Sequence, residues 1–252
     1  MNCVYIRFKE ELNDFLPPHR KNIMFSFRFR GQPSVKHLIE AIGIPHTEVG
    51  EILVNSNHVE LTYKASDMDE IIVKPKVYSQ IVKDPANSFE SNDPPKFVLD
   101  SHLGKLAVYL RMFGLDTLYQ NDYDDDLLAE ISCIENRVLL TRDRGLLKRK
   151  IIIKGYWIRS LDPSVQIEEV FLRFNLFDKV QPFQRCLVCN YSLKPVDKES
   201  VIEKLEPLTR KYYDKFFICT NCQKVYWKGS HYERMKAFVQ KIVDKGESLK
   251  YE

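Results

Sequence analysis

The chain has no run of about eighteen apolar residues free of charge, so no membrane-spanning helix and no membrane partner is expected. Its first residues lack a positively charged stretch followed by an apolar one. No secretory leader is therefore expected, and the chain is assigned to the cytoplasm. Charge of one sign is scarce as well: 38 basic and 35 acidic side chains leave a net +3, too little to mark a nucleic-acid partner by itself. No internal repeat or long low-complexity tract stands out, and 44% of the 252 residues are hydrophobic. That is enough for one large core or two to three small ones, so disorder is not the dominant state. Cysteine is limited to six residues, four of them in two CxxC pairs. In a reducing compartment such pairs point to metal ligation rather than to a disulfide framework. Cys3 and Cys133 are left over and read as small buried hydrophobes.

The small net charge is unevenly spread. Residues 1–95 carry 11 basic and 13 acidic groups, residues 96–182 carry 13 of each, and residues 183–252 carry 14 and 9. The tail is therefore the candidate phosphate-facing surface.

Hydrophobic periodicity divides the chain. Val4, Ile6 and Phe8, and then Ile23, Phe25, Phe27 and Phe29, recur at every second position, which predicts half-buried strands. Ser34 starts a short helix with Val35, Leu38, Ile39 and Ile42 on one face and Gly43 as its stop. Ile52–Asn55 and Ile71–Lys74 are two more strands, giving a compact α+β unit over residues 1–78. This order, with PHTEVGEILVN after the helix and DEIIVKPK at the end, resembles the ubiquitin-like β-grasp domains related to sulfur carriers. Sulfur carriers act through a free terminal Gly-Gly, whereas here Pro75, Lys76 and Val77 run into more chain. A docking or structural role is expected instead, with a protein as the partner in the docking case. Residues 79–95 are polar with three prolines, the composition of a linker.

From residue 96 strands alternate with helices, the pattern of an α/β parallel sheet with crossover helices. Phe97–Leu99 is a buried strand ending in Asp100; the next helix buries Leu103, Leu106, Ala107, Leu110 and Phe113 and stops at Gly114. Asp116–Tyr119 is a second strand, followed by the acidic run Asp122–Asp126 and a helix with Leu127, Leu128 and Ile131. Val138–Leu140 leads through Thr141 and Arg142 to Asp143. Ile151–Ile153 and Tyr156–Ile158 read as further buried strands, with Val170, Phe171 and Phe174 on a helix. Ligands of open α/β sheets bind beyond the carboxyl ends of strands, where Asp100 and Asp143 stand. Carboxylates converging there would need a cation, and hard oxygen ligands favour Mg²⁺ or Mn²⁺. Such an ion suits phosphodiester hydrolysis, with Arg142, Arg144, Lys148 and Arg149 as phosphate ligands. Lys105 serves either phosphate or a nearby carboxylate. Asp116, at the start of its strand, is read as structural, and Asp162 is either a further carboxylate or an Asp-Pro turn.

FVLDSHLGKLAVYLRMFGLDT, the acidic run and RVLLTRDRGLLKR together resemble the Mut-seven C-terminal RNase family, a branch of the PIN-like nucleases. The resemblance covers roughly residues 96–180, within an expected PIN-like domain of residues 96–182. It implies a PIN-like fold and divalent-metal-dependent hydrolysis of single-stranded RNA, structured RNA being a further possible substrate. Family members often carry a β-grasp domain in front and a zinc ribbon behind. By position the motif aspartates are Asp100 and Asp143; the middle acid is Asp126, with Asp122 and Asp125 close behind, unless Asp126 is only a helix cap. Endo- and exonucleolytic action stay open. The rival is a non-catalytic adaptor with a degenerate core that recruits RNA or a protein.

Residues 183–252 hold Cys186-x2-Cys189 and Cys219-x2-Cys222, four thiolates suited to a closed tetrahedral Zn²⁺ site. The 29 residues between the pairs exceed ribbon spacing, so an inserted hairpin or disordered loop is expected around Lys194–Tyr213. Asn190 adopts positive φ readily and Gln223 less so. Tyr212, Tyr213, Phe216, Phe217, Tyr226 and Trp227 alternate with lysines and arginines, which suits either base stacking or a small aromatic core. Ser230 is expected to cap a last helix with Met235, Phe238 and Ile242 as its apolar stripe, and His231 is read as a surface residue.

Overall fold

The computed structural model describes residues 1–76 and 93–248, so most of the expected linker, residues 79–92, lies outside the described residues. The N-terminal part comprises β1 (Asn2–Phe8), β2 (Phe25–Phe29), α1 (Val35–Ile42), β3 (Val49–Val54), β4 (Asn57–His58) and β5 (Glu70–Pro75). The sheet order is β2-β1-β5-β3-β4, with β1 parallel to β5 and the other pairs antiparallel. The period of two in β1 sends Val4, Ile6 and Phe8 into the core, all at most 1% exposed. Burying each such side chain stabilises by about 1.5–3 kcal/mol. Opposite them α1 contributes Val35, Leu38 and Ile39. Ser34 Oγ accepts from the His37 amide at 3.3 Å to start the helix, and Gly43, at φ 126°, ends it. Ile23 precedes β2 and is 48% exposed, so that alternation begins at Phe25. The unforeseen β4 follows from Asn55 and Ser56, both at positive φ, which close a two-residue hairpin between Val54 and Asn57.

The next elements are β6 (Phe97–Leu99), α2 (Gly104–Met112), β7 (Thr117–Leu118), α3 (Asp125–Ile134), β8 (Val138–Thr141), β9 (Gly155–Trp157) and α4 (Pro163–Phe174). β6 pairs in parallel with β7, and β8 with β9, which with the intervening helices fits an α/β core. Along α2 the predicted stripe is buried, and it ends at Gly114, φ 85°, where a Cβ would lie 2.1 Å from the Gln181 carbonyl oxygen. Phe113 packs edge-on to Phe171 of α4, centroids 4.6 Å apart. Two expectations are corrected here. Ile151 and Ile153 are 46% and 61% exposed and lie outside any strand, because the chain turns after a 3-10 segment and buries only Ile152. Cys133 is exposed, since α3 buries Leu128, Ala129 and Ser132 instead.

The remaining elements are β10 (Leu193–Val196), α5 (Lys198–Val201), α6 (Pro207–Tyr212), β11 (Phe216–Cys219), β12 (Val225–Trp227) and α7 (Ser230–Ser248). β10, β11 and β12 form an antiparallel sheet. The insertion between the cysteine pairs is neither a simple hairpin nor a disordered loop. It folds as β10 and two short helices over Val201, Leu205, Phe216 and Ile218. Phe216 is core, whereas Tyr212 and Trp227 are 64% and 38% exposed, so the aromatic set does not all join the small core. Phe238 of α7 stacks on Tyr109 of α2 at 4.7 Å. Ser230 is the first residue of α7, and Val239 and Ile242 are its most buried apolar residues. The described residues fall into two compact units, 1–76 with 124–158 and 93–123 with 159–248, so compactness does not follow chain order. No helix among them is long and apolar enough to cross a membrane.

Candidate functional site

In the unit of residues 93–123 and 159–248, two knuckles bring the four cysteines together. Their ligand atoms all lie within 4.8 Å of one another, with Cys186 Sγ 3.6 Å from Cys222 Sγ and Cys189 Sγ 3.3 Å from Cys219 Sγ. A tetrahedral ZnS₄ centre with bonds of about 2.3 Å has sulfur–sulfur edges of roughly 3.8 Å, so the sulfurs fit a metal such as zinc. Asn190 and Gln223, each following the second cysteine of its pair, both take positive φ, at 70° and 60°. Burial pulls the Cys189 thiol up, but the Tyr191 backbone and the neighbouring cysteines bring it down to about 6; burial pushes Cys222 up to about 12. A divalent metal held here would let all four thiols ionise. Tyr226 Oη sits 3.1 Å from Cys186 Sγ and accepts from the Leu187 amide at 3.1 Å. Burial, and then the bond to Cys186, raise its phenol above the usual range.

The same unit holds Asp100, directly after the buried β6 and 9% exposed. Its carboxylate does not cap the 3-10 turn it opens; instead Ser101 Oγ donates to Asp100 Oδ1 at 3.1 Å. Lys105 is exposed, with Nζ 5.3 Å from the Tyr109 ring. Asp122 is exposed in the turn before α3. Asp162 caps α4, accepting from Ser164 N at 2.8 Å and Ser164 Oγ at 2.7 Å, and these bonds hold its carboxyl below the usual range. That is the Asp-Pro turn. Asp116 accepts from Asn190 Nδ2 at 2.8 Å and lies 3.6 Å from Arg185, the structural role expected of it.

The other unit holds the remaining candidates. Asp143 follows β8 and is exposed. Its amide donates to Thr141 Oγ1 at 2.9 Å and its Oδ1 accepts from the Gly145 amide at 2.6 Å. A Cβ at position 145 would stand 3.0 Å from that oxygen, so glycine lets the turn close tightly on the carboxylate. The cap of α3 is Asp124, accepting from Leu127 N at 2.8 Å, and not Asp126. Asp126 lies in the first turn and pairs with Arg149, which also reaches Asp125 at 3.6 Å. Thr141, Gly145 and Asp124 escaped the sequence reading, although T-x-D-x-G is a recognisable pair of overlapping side-chain turns.

Three of the four basic residues around Asp143 are engaged inside this unit by the N-terminal part or by the acidic run. Arg144 lies over the rings of Trp157 and Phe15, at 3.9 and 5.0 Å. Lys148 Nζ donates to the Glu40 carbonyl at 2.8 Å, and Arg149 pairs as above. Arg142 Nη1 donates to the Ile158 carbonyl at 3.2 Å. Glu48, fully buried, accepts from the Trp157 amide at 2.6 Å, and His46 bridges Glu40 Oε1 and the Ile152 carbonyl. Among the described residues, the cysteines are the group of three or more metal-ligating side chains whose ligand atoms converge; no carboxylate group does.

A family model described as Mut7-C RNAse domain matches residues 95–239, and a second, described as Mut7-C ubiquitin, matches residues 1–81. No curated protein and no solved structure matches the chain.

Proposed function

The chain belongs to the Mut7-C RNAse domain family, and from that premise we propose that it is a divalent-metal-dependent ribonuclease acting on single-stranded RNA. The observation that carries the reading is Asp143. It is an exposed carboxylate at the end of a buried strand, pinned by the Gly145 amide and set among Arg142, Arg144 and Arg149, inside the matched segment. Asp100, Asp143 and one acid of Asp122–Asp126 would hold Mg²⁺ or Mn²⁺; all are hard oxygen donors, the set such ions prefer. When bound, the ion supplies charge neutralisation at the scissile phosphate and an activated water. The protein's own part is to hold the carboxylates in place and to present cations to neighbouring phosphates. Arg149, exposed enough to exchange Asp126 for phosphate, and Lys105 are suited to that. The four cysteines would hold structural Zn²⁺, and the exposed Tyr212 and Trp227 of the same C-terminal region would receive bases. For the β-grasp part the supported role is structural, since Phe15, Glu40, His46 and Glu48 grip the segment around Asp143.

The test is cleavage of labelled single-stranded RNA by wild type and Asp143→Asn with Mn²⁺ and with EDTA. Wild type should cleave only with metal, and Asp143→Asn should lose more than the roughly 100-fold typical of outer-shell partners. Equal cleavage by both proteins removes the proposed site. RNA binding without metal-dependent cleavage in the wild type would leave the adaptor reading.

A further inference from the structure

Arg111 is a helix residue only 3% exposed, and a buried guanidinium is tolerated only when its donors are met. Its partners are four backbone carbonyls from two places. Nε donates to Thr117 O at 2.9 Å and Nη2 to Tyr119 O at 3.3 Å, both beside β7. Nη1 donates to Leu187 O at 3.2 Å and Val188 O at 2.8 Å, the two residues between Cys186 and Cys189. The first cysteine knuckle thus supplies half of what satisfies this buried charge. A parallel tie lies next to it: the Thr117 amide donates to Asn190 Oδ1 at 2.9 Å, directly after Cys189.

The chain of contacts continues from Tyr119. Its hydroxyl donates to the Ser101 carbonyl at 3.0 Å, and Ser101 Oγ donates in turn to Asp100 Oδ1 at 3.1 Å. A Cβ on Gly104 would lie 2.6 Å from that hydroxyl, so the glycine lets the phenol reach the turn.

We propose that Arg111 is a positioning residue that ties the cysteine knuckle to the Asp100 turn, so that filling the cluster with Zn²⁺ sets Asp100 for the catalytic ion. The inference rests on the ribonuclease reading for its catalytic half. Its physical basis is that the Leu187 and Val188 carbonyls point at Arg111 only while the knuckle is closed. Opening it strands a buried cation, and the nearest relief is movement of Arg111 away from Thr117 and Tyr119. Burial lowers the basicity of Arg111, so its charge depends on the four carbonyls that satisfy it.

The experiment uses the full chain and reads hydrogen exchange of residues 97–103, zinc content, and the Mn²⁺ concentration that half-saturates RNA cleavage. Stripping zinc from wild type should speed exchange over 97–103. Arg111→Met should show the same fast exchange while still holding zinc, with half-saturating Mn²⁺ raised about 10–100-fold, the range of outer-shell losses. Arg111→Lys, a single-donor cation, should recover little of this. Tyr119→Phe, which removes only the hydroxyl, guards against misfolding of the Arg111 variants. It should keep zinc and shift the Mn²⁺ dependence in the same direction by less. Normal exchange over 97–103 after zinc removal, or unchanged exchange in zinc-loaded Arg111→Met, overturns the tie. Absence of RNA cleavage by wild type would count against the ribonuclease reading alone, because the exchange measurements still decide the tie.

Discussion

Asp143 and Asp100 each follow a strand of a parallel pair, yet the backbone around them is held by different chemistry. Around Asp143 the grip comes from side chains of the N-terminal domain: the Phe15 ring against Trp157 and Arg144, the Glu48 carboxylate on the Trp157 amide, and His46 on the Ile152 carbonyl. Around Asp100 it comes from backbone carbonyls gathered by Arg111 and from the Tyr119 hydroxyl. The first grip depends on packing and on groups that titrate. The second depends on a knuckle whose four cysteines could hold a metal such as zinc. The two aspartates are thereby open to separate tests, Asp143 through apolar contact and pH, Asp100 through the contacts of the cysteine knuckle.

The largest expected effect is on the second grip. Cys222→Ser removes an exposed ligand with little packing of its own, so its consequence is loss of metal. Structural zinc contributes up to about 10–16 kcal/mol in isolated finger peptides. Here the small core of Val201, Leu205, Phe216 and Ile218 retains part of the fold, so a smaller loss, confined to residues 93–123 and 159–248, is expected. Elemental analysis and hydrogen exchange read it; a zinc-free variant whose ribbon sheet exchanges as slowly as wild type would remove the metal from the comparison. The next effect strikes the other grip. Phe15 is 6% exposed and touches Trp157 at 4.8 Å, so Phe15→Ala should cost about 3–5 kcal/mol. The loss should appear as faster exchange in β8 and β9 with zinc content intact. If β8 and β9 stay protected while the N-terminal sheet loosens, the N-terminal domain does not brace the Asp143 segment.

Much of this was legible in the sequence where short apolar runs end in a charged residue. FVLD and VLLTRD announce their strands and their terminal carboxylates, because three buried side chains in a row leave no other place for an aspartate. The cysteine pairs were equally plain, since ligand spacing is local. The braces were not legible. An arginine in a helix reads as surface, and the partners of Arg111 at Leu187 and Val188 stand 76 and 77 positions away. Glu48 and His46 find their partners 109 and 106 positions away, in a segment whose three isoleucines suggest a buried strand but bury only Ile152. The insertion between the cysteine pairs was missed because KESV and PLTRKY are too short and too charged to show a helical period.

The smallest expected effect separates the titrating grip from the one at the cysteine knuckle. His46 Nδ1 lies 2.7 Å from Glu40 Oε1 and Nε2 lies 2.9 Å from the Ile152 carbonyl oxygen. Burial, aided by Lys36, lowers the imidazole below its ordinary 6.5, against the raising pull of Glu40 and Ile152. Above 6.5 the ring is neutral in folded and unfolded chains alike, and its contribution is flat. Below 6.5 the unfolded chain takes up the proton first, so stability falls with pH until the folded ring also protonates. Wild type should therefore lose more stability than His46→Gln between about pH 7.5 and about pH 5.5. The extra loss should localise to residues 1–76 and 124–158 and leave zinc content unchanged. Parallel pH profiles for the two proteins would show that His46 does not tune this grip, and the contrast between the two braces would then rest on packing and metal alone.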